Sequence, residues 1–317
     1  MLTVLMATRN RAALLKDVLE AYCGLQTPSG GWKLVIVDNG STDNTGDVVS
    51  DFRGRLPIQR LVEPKLGKNA ALNTGLSSCE GDLVVFTDDD TFPHADWLAR
   101  LRDAAETHPE HSMFGGAIAP RWALPPPDWI DWVDWGPTFT ITPEWLSESE
   151  LSSSSITWIS GPNMAIRKAI FDSGIRFDES IGPRGLDYPM GSETELILRL
   201  SRNGHKGWFV PKAVVEHFIR EEQLSKQWVL RRAVRWGRGS YRLAPNLKLW
   251  GSVPRHLYRD LPKFALKIAI AGAVLNPEAR FRAQWAFNLL RGEAIEARAL
   301  YRENHIQQVQ AATGNGR

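Results

Sequence analysis

The stretch that decides the fold is Leu83-Val84-Val85-Phe86-Thr87-Asp88-Asp89-Asp90. It begins as a short β-branched apolar run, the pattern of a strand buried on both faces in a parallel sheet. It ends in three successive carboxylates. Like charges about 4 Å apart repel by roughly 4 kcal/mol at an effective dielectric near 20, so three acids at the end of a core strand call for positive charge beside them. Carboxylate oxygens suit hard cations, and Mg²⁺ and its relatives are held by one or two carboxylates together with substrate phosphates. Ligands of open α/β sheets bind beyond the carboxyl ends of the strands. The run reads as a metal–diphosphate site, with a solvated acidic turn capping the next helix as the plainer alternative.

Upstream, Leu2 to Ala7 is an apolar run that breaks at Thr8-Arg9-Asn10-Arg11, and Leu14, Leu15, Val18, Leu19 and Tyr22 then recur at helical spacing. Leu34 to Val37 is a second strand, ending in Asp38-Asn39-Gly40-Ser41-Thr42-Asp43, a loop rich in turn formers and cap residues. A helix around Val48 and Val49, a strand from Ile58 to Val62 and a helix from Leu66 to Ser78 follow; Trp97 to Ala105 is helical after the acids. Four βα units in succession predict an α/β fold with a mostly parallel sheet flanked by helices. Thr8, Arg9, Asn10, Asp38 and Asp88 to Asp90 then gather on one sheet edge, as in a nucleotide site. No G-x-G-x-x-G follows the first strand and no G-x-x-x-x-G-K-[ST] occurs, so neither a dinucleotide fingerprint nor a P-loop is supported.

Thr8-Arg9-Asn10-Arg11, Val37-Asp38-Asn39-Gly40-Ser41-Thr42-Asp43, Gly67-Lys68-Asn69-Ala70-Ala71-Leu72-Asn73 and Asp88-Asp89-Asp90 stand in the order and approximate spacing of a family 2 glycosyltransferase, which this chain resembles. The resemblance implies the Rossmann-like GT-A fold. It implies that Thr8 and Arg9 line the nucleotide pocket, that Asp38 accepts from the base (uracil), and that Lys68 and Asp89 lie near the nucleotide sugar. Asp88 and Asp90 become the outer acids of a D-x-D motif, with Asp90 the direct ligand of Mn²⁺ or Mg²⁺. Plainer readings make Lys68 a solvated helix-start lysine and Asp38 an N-cap.

Residues 112–160 change character. Met113 to Ala119 reads as a strand, followed by a Pro- and Trp-rich segment with Trp122, Trp129, Trp132, Trp135 and Trp145; Trp158 lies in a β-like run. Indole faces stack on sugar C–H faces, so Trp122 and Trp158, with Asn163 of Gly161-Pro162-Asn163-Met164, are acceptor-side candidates. A satellite hydrophobic cluster or an oligomer contact is the alternative. In Gly191-Ser192-Glu193-Thr194-Glu195-Leu196-Ile197-Leu198-Arg199-Leu200, helical spacing sets Glu193 on the face of Leu196, Ile197 and Leu200, while Glu195 can pair with Arg199. A carboxylate at a helix N-terminus is stabilised as the anion and is placed to act as a base. The family carries its base here, usually within a Glu-Asp pair; this chain has Ser192-Glu193. A late strand from Trp208 ends at Glu216-His217, and the resemblance makes His217 a metal ligand, against a plain structural histidine.

Net charge is +2 over 317 residues, but Gln223 to Arg317 holds 17 Lys/Arg and 5 Asp/Glu, a net of +12, leaving −10 for residues 1–222. The division expected is a glycosyltransferase domain over 1–222, with a nucleotide-sugar half (1–110) and an acceptor half (111–222), then a basic helical extension over 223–317. In the extension, Trp228 to Arg242, Val253 to Leu275 broken at Pro262, and Pro277 to about Gln310 read as helices; Ala311 to Arg317 reads as disordered. Its basic amphipathic helices suit an anionic membrane surface; a helical layer or a homo-oligomer contact is the alternative. No nucleic-acid motif is present. Cys23 and Cys79 lack metal spacing and read as buried free thiols of a reducing cytoplasm. The start of the chain lacks the features of a signal peptide, and no segment offers the roughly 20 apolar residues of a membrane span. The expected location is cytoplasmic, peripheral on the inner face of the membrane. The expected activity is inverting transfer of a sugar from a UDP-sugar to a saccharide or glycolipid hydroxyl. A sugar-phosphate nucleotidyltransferase and a non-catalytic membrane-docking subunit are the rivals; the former needs a Gly-rich phosphate loop after the first strand, which Thr8-Arg9-Asn10-Arg11 lacks.

Overall fold

The computed structural model describes residues 1–185, 187–245 and 248–314. They fall into two compact units. The first takes in residues 1–125, 135–184 and 192–220; the second takes in 126–134, 185–191 and 221 onward.

The first unit is built on a nine-stranded sheet. The apolar runs form β1 (Leu2–Thr8), β2 (Trp32–Asp38), β3 (Ile58–Val62) and β4 (Leu83–Asp88), all parallel, in the order β3-β2-β1-β4. Helices α1 (Ala12–Tyr22), α2 (Thr45–Asp51) and α3 (Lys68–Leu76) alternate with them. After Asp90 the chain forms a three-residue strand, β5 (Thr91–Pro93), before α4 (Trp97–Thr107). Strand β6 (Met113–Trp122) runs three residues beyond the expected Ala119. Two short elements, α5 (Trp135–Phe139) and β7 (Ser149–Leu151), precede β8 (Met164–Arg167), α6 (Lys168–Asp172), α7 (Ser192–Arg202) and β9 (Gly207–Ile219). The sheet continues from β4 through antiparallel β8 to β6, β9 and β5. The expected α/β class with a mostly parallel sheet holds; β8 between β4 and β6, and β5 and β7 against β9, run antiparallel and make the sheet mixed.

The core follows from the burial of these runs. Val84 and Phe86 of β4 pack with Leu5, Val35, Val37 and the α7 stripe of Leu196, Ile197 and Leu200. Phe86 also meets the edges of Phe171 and Phe177 at ring separations of 5.5 and 5.3 Å. That stripe fixes the phase of α7. The inward face of α1 is Ala12, Leu15, Val18, Leu19 and Tyr22, so Cys23, just past the stripe, is exposed. This corrects the expectation of two buried thiols; Cys79 is buried, which pushes its thiol pKa up to about 12.

The second unit contains α8 (Lys226–Leu243), α9 (Arg255–Ala273) and α10 (Pro277–Gly314), with a two-residue hairpin before α9. Residues 315–317 of the expected disordered end lie outside the described residues; 311–314 belong to α10. Pro262 does not break α9 as expected. It sits on the exposed side of the helix, where water can satisfy the carbonyl that its missing N–H leaves free. The basic stripe of α8 turns inward in part. Arg238 and Arg242 donate to the fully buried Glu296 of α10 at 2.8 and 2.6 Å. Trp129 and Trp132 pack on Phe281, with the Lys226 ammonium 4.3 Å over the Trp132 ring.

Helices α8 and α10 cross at glycines. A Cβ on Gly237 would lie 1.9 Å from the Leu289 carbonyl oxygen, and one on Gly292 2.1 Å from that of Val234. A Cβ on Gly272 of α9 meets nothing nearer than 4.0 Å. Alanine is the better helix former by about 1 kcal/mol. Gly272→Ala should therefore raise stability by up to that amount. Gly237→Ala should lower it by about 2 kcal/mol or more, because the backbones must separate. Urea unfolding of both variants checks the contrast.

Candidate active site

The loops after β1 and β2 hold each other in place. Asn10 adopts φ 52° and its Oδ1 accepts from the Thr42 amide at 2.8 Å. Helix α1 lacks a side-chain cap of its own, and Asp43 of the neighbouring loop accepts from the Ala12 amide at 3.2 Å. Asn39 donates to the carbonyls of Glu63 and Lys65 and accepts from the Gly67 amide at 2.8 Å, which fixes the entry to α3. Within α3, Asn69 donates to the Asp178 and Ile181 carbonyls, and Asn73 both donates to and accepts from the backbone of Phe177. These asparagines are struts that locate Lys68 at the first position of α3.

Each of the three strand-end acids meets a cation from a different element. Asp88 accepts from Lys68 Nζ at 2.5 Å. Asp89 lies 3.9 Å from Arg11 Nε and accepts from Thr8 Oγ1 at 2.7 Å. Asp90 accepts from Arg220 Nη1 at 3.0 Å. Part of the positive charge that the acidic run demands is thus supplied by the chain itself. Sequence reasoning named Lys68 but not Arg11 or Arg220. Arg220 lies three residues past His217, where the late strand was expected to have ended.

Lys68 Nζ also donates to Glu193 Oε1 at 2.6 Å, so one ammonium joins the end of β4 to the first turn of α7. The second Glu193 oxygen accepts from Ser192 Oγ at 2.6 Å. Ser192 is buried and holds the carboxylate from the side opposite Lys68. Glu195 points elsewhere and pairs with Arg199 at 2.7 Å. Burial pushes the Glu193 carboxyl upward, but the Lys68 charge and the hydrogen bonds from Lys68 and Ser192 outweigh it and hold the pKa below the usual value. Burial likewise opposes the charge on Lys68, and Asp88 and Glu193 overcome it, so the ammonium stays protonated. For Asp88, burial together with the Glu193 and Asp90 charges wins over Lys68 and raises the pKa. Burial and the Asp90 charge push Asp89 up to about 7.

The short strand β5 pairs with β9 so that Thr91 faces His217, and the Phe218 amide donates to the Asp90 carbonyl at 2.8 Å. This ladder puts His217 Nε2 3.6 Å from Asp90 Oδ1. His217 Nδ1 lies 2.6 Å from the Phe139 carbonyl oxygen and donates to it, which leaves Nε2 on the side of Asp90. A carboxylate oxygen and an imidazole nitrogen so placed are both donors that a divalent metal ion accepts.

The remaining candidates are distributed as follows. Asp38 is 3% exposed; Arg60 binds one of its oxygens at 2.5 Å and the Ser41 amide the other at 2.9 Å. Burial would raise its pKa, and these partners lower it. Arg9 is exposed beside buried Thr8. Trp122 meets the edges of Trp135 and Phe139, and Trp158 meets Trp145 at 6.0 Å. Trp158 ends a 3-10 turn rather than lying in a strand, because the serines of 152–155 hydrogen-bond among themselves and tighten the chain. Asn163 is corrected as an acceptor residue. It is fully buried, its Oδ1 accepts from Trp97 Nε1 and its Nδ2 donates to the Ala117 and Ala213 carbonyls, all at 2.8 Å. An amide so satisfied is part of the core.

The glycosyl transferase family 2 model matches residues 3–173. Among curated relatives, a probable glycosyltransferase of Bacillus subtilis, YdaM, is 24% identical over 75% of this chain and 54% of its own length. The succinoglycan biosynthesis protein ExoM of Rhizobium meliloti is 25% identical over 72% of this chain and 71% of its own. The chain thus spans only about half of YdaM. A solved mannosyltransferase of Pyrobaculum calidifontis, in complex with GDP-Man and Mn²⁺, superposes with a TM-score of 0.63 at 19% identity, covering 93% of this chain and 86% of that one. Staphylococcus aureus TarS 1–349, in complex with UDP-GlcNAc, superposes at 0.54 and 17% identity, covering 95% and 91%. These likenesses establish the fold as GT-A. The model match covers more than half of the 317 residues, which decides between the transferase and nucleotidyltransferase readings: the chain belongs to glycosyl transferase family 2.

Proposed function

We propose that this chain transfers a sugar from a nucleoside-diphosphate sugar, a UDP-sugar, to a hydroxyl of a saccharide or glycolipid acceptor, with inversion at the anomeric carbon. The observation that carries the reading is the Lys68 bridge, which brings the strand-end acids and the first-turn acid of α7 to one point. Glu193 is the base. Its lowered pKa keeps it ionised near neutrality, and it is placed to take the proton of an attacking hydroxyl. Arg11, Lys68 and Arg220 form a cationic rim suited to a diphosphate. Asp90 and His217 would hold a divalent ion, with Asp88 bordering it, and the ion would supply charge neutralisation to the leaving diphosphate. The two solved relatives are in complex with a guanosine and a uridine donor, so a screen of both donor classes tests the base.

Glu193→Gln should keep donor affinity but lower turnover by about a hundredfold or more, the scale of general-base loss. Glu195→Gln should lose only a surface ion pair, a few tenths of a kcal/mol, and leave the rate near wild type. Steady-state kinetics with donor binding measured separately decides; an inactive Glu195→Gln beside an active Glu193→Gln rejects the assignment.

Chelation with EDTA, or Asp90→Ala in a folded protein, should abolish turnover, and Mn²⁺ should raise the melting temperature of wild type but not of Asp90→Ala. Full activity in EDTA removes the metal from the reading.

Lys68→Met strands two largely buried carboxylates. Fully buried pairs lose about 3–5 kcal/mol when one partner is removed, and partial exposure reduces this to about 2 kcal/mol. Without the ammonium both acids hold protons more tightly in the folded state than in the unfolded one. Stability of the variant should therefore fall as pH rises above about 4 and recover as pH is lowered. Adding Glu193→Gln should restore part of the loss, a coupling read from a double-mutant cycle of urea midpoints.

A further inference from the structure

Where α9 turns into α10, large aliphatic side chains face outward. Leu266 and Ile270 of α9 and Val274, its C-cap residue, are 61%, 53% and 66% exposed and fall at i, i+4 and i+8. Leu275, at the turn, is 87% exposed. Single exposed leucines are ordinary, whereas a contiguous aliphatic strip of this kind marks a surface that meets another phase. Leu275 carries a second cost. Its amide donates to the Gly272 carbonyl and that of Asn276 to the Ala271 carbonyl, a Schellman closure, with Leu275 at φ 53°. Glycine is the usual residue there, because a side chain strains the left-handed backbone. A leucine held in that conformation and left in water stabilises nothing within the chain.

The same face is basic. At about 100° per residue, Arg259, Lys263 and Lys267 all lie within about 100° of Leu266 on the helical wheel. Exposed Arg280 and Arg282 follow at the start of α10. From 255 to 283 there are six basic residues and two acidic ones, 6 − 2 = +4. A groove of about 400 Å³ between the two helices is lined by Phe264, Ile270 and Val274, with Lys267 and Arg282 at its edge. No described helix is long and apolar enough to cross a membrane. An exposed aliphatic strip flanked by basic residues is the pattern of an element that lies along a bilayer.

We propose that α9 and the 274–276 turn form an interfacial anchor for an anionic lipid bilayer. Charge complementarity selects this occupant over a second copy of the chain, since a two-fold contact through this face would oppose +4 with +4. The anchor does not depend on the transfer chemistry. It names the phase in which a glycolipid acceptor is met.

The test is sedimentation of the full chain with vesicles, read without any activity measurement, so its failure leaves the transferase reading untouched. Wild type should bind vesicles of phosphatidylglycerol in phosphatidylcholine and bind pure phosphatidylcholine weakly. Raising salt from about 0.1 M to about 1 M, which shortens the screening length from about 10 to about 3 Å, should release it. Lys263→Glu with Lys267→Glu should reduce binding about tenfold or more, each basic charge contributing about fivefold at such a surface. Leu275→Gly should weaken vesicle binding while its melting temperature stays level or rises, because the backbone strain is relieved; a purely structural leucine would lower the melting temperature on removal. Absence of wild-type binding to the anionic vesicles overturns the proposal. So does a vesicle-free dimer that Leu266→Gln with Ile270→Gln disperses.

Discussion

Three adjacent carboxylates at the end of a buried strand are the constraint on which the site depends. Left to themselves they would repel by several kcal/mol, and the sheet could not end in them. The chain answers with Lys68 from the start of α3, Arg11 from the loop after β1 and Arg220 from just past β9. Those three positions are far apart in sequence and can serve only if the sheet brings its strand ends together. Fold and charge balance therefore imply one another. A sheet of different order would separate the cations from the acids.

Much of what looks like a recognition motif is scaffold. The asparagines of Gly67-Lys68-Asn69-Ala70-Ala71-Leu72-Asn73 spend their amides on the backbone of 177–181, and Asn39 spends its own on the entry to α3. Lys68 is the residue in that motif aimed at the acids. The division is physically sensible, because an ammonium on a flexible stem places charge accurately only when its Cα is fixed.

The first half of the chain was legible because its signals are local. Leu2 to Ala7, Leu34 to Val37 and Leu83 to Phe86 are apolar runs ending in polar residues, and parallel sheets write themselves this way. The phase of α7 was legible for the same reason: Leu196, Ile197 and Leu200 fix which way Glu193 faces. What escaped was non-local. Three residues ending in a proline do not announce β5, whose existence depends on pairing with β9. Asn163 looked like a polar group awaiting a ligand, because nothing in sequence shows that Trp97 and two carbonyls surround it. The arginines of α8 looked like one basic stripe until Glu296 of α10 claimed two of them. Pattern gives direction along one element, and partners come from elsewhere.

The β5–β9 ladder has a mechanical consequence. His217 lies in β9 and Asp90 immediately precedes β5, and one main-chain hydrogen bond runs from Phe218 to the Asp90 carbonyl itself. The separation of their main chains is set by this ladder, and changing it requires breaking the pairing of the two strands. Glu193 approaches the same centre from the first turn of α7, where its side chain is held by the ammonium of Lys68 and the hydroxyl of Ser192. The two sides of the site are thus held by different kinds of contact: a group that competes for the Lys68 ammonium would release the Glu193 side chain and leave the β5–β9 ladder untouched.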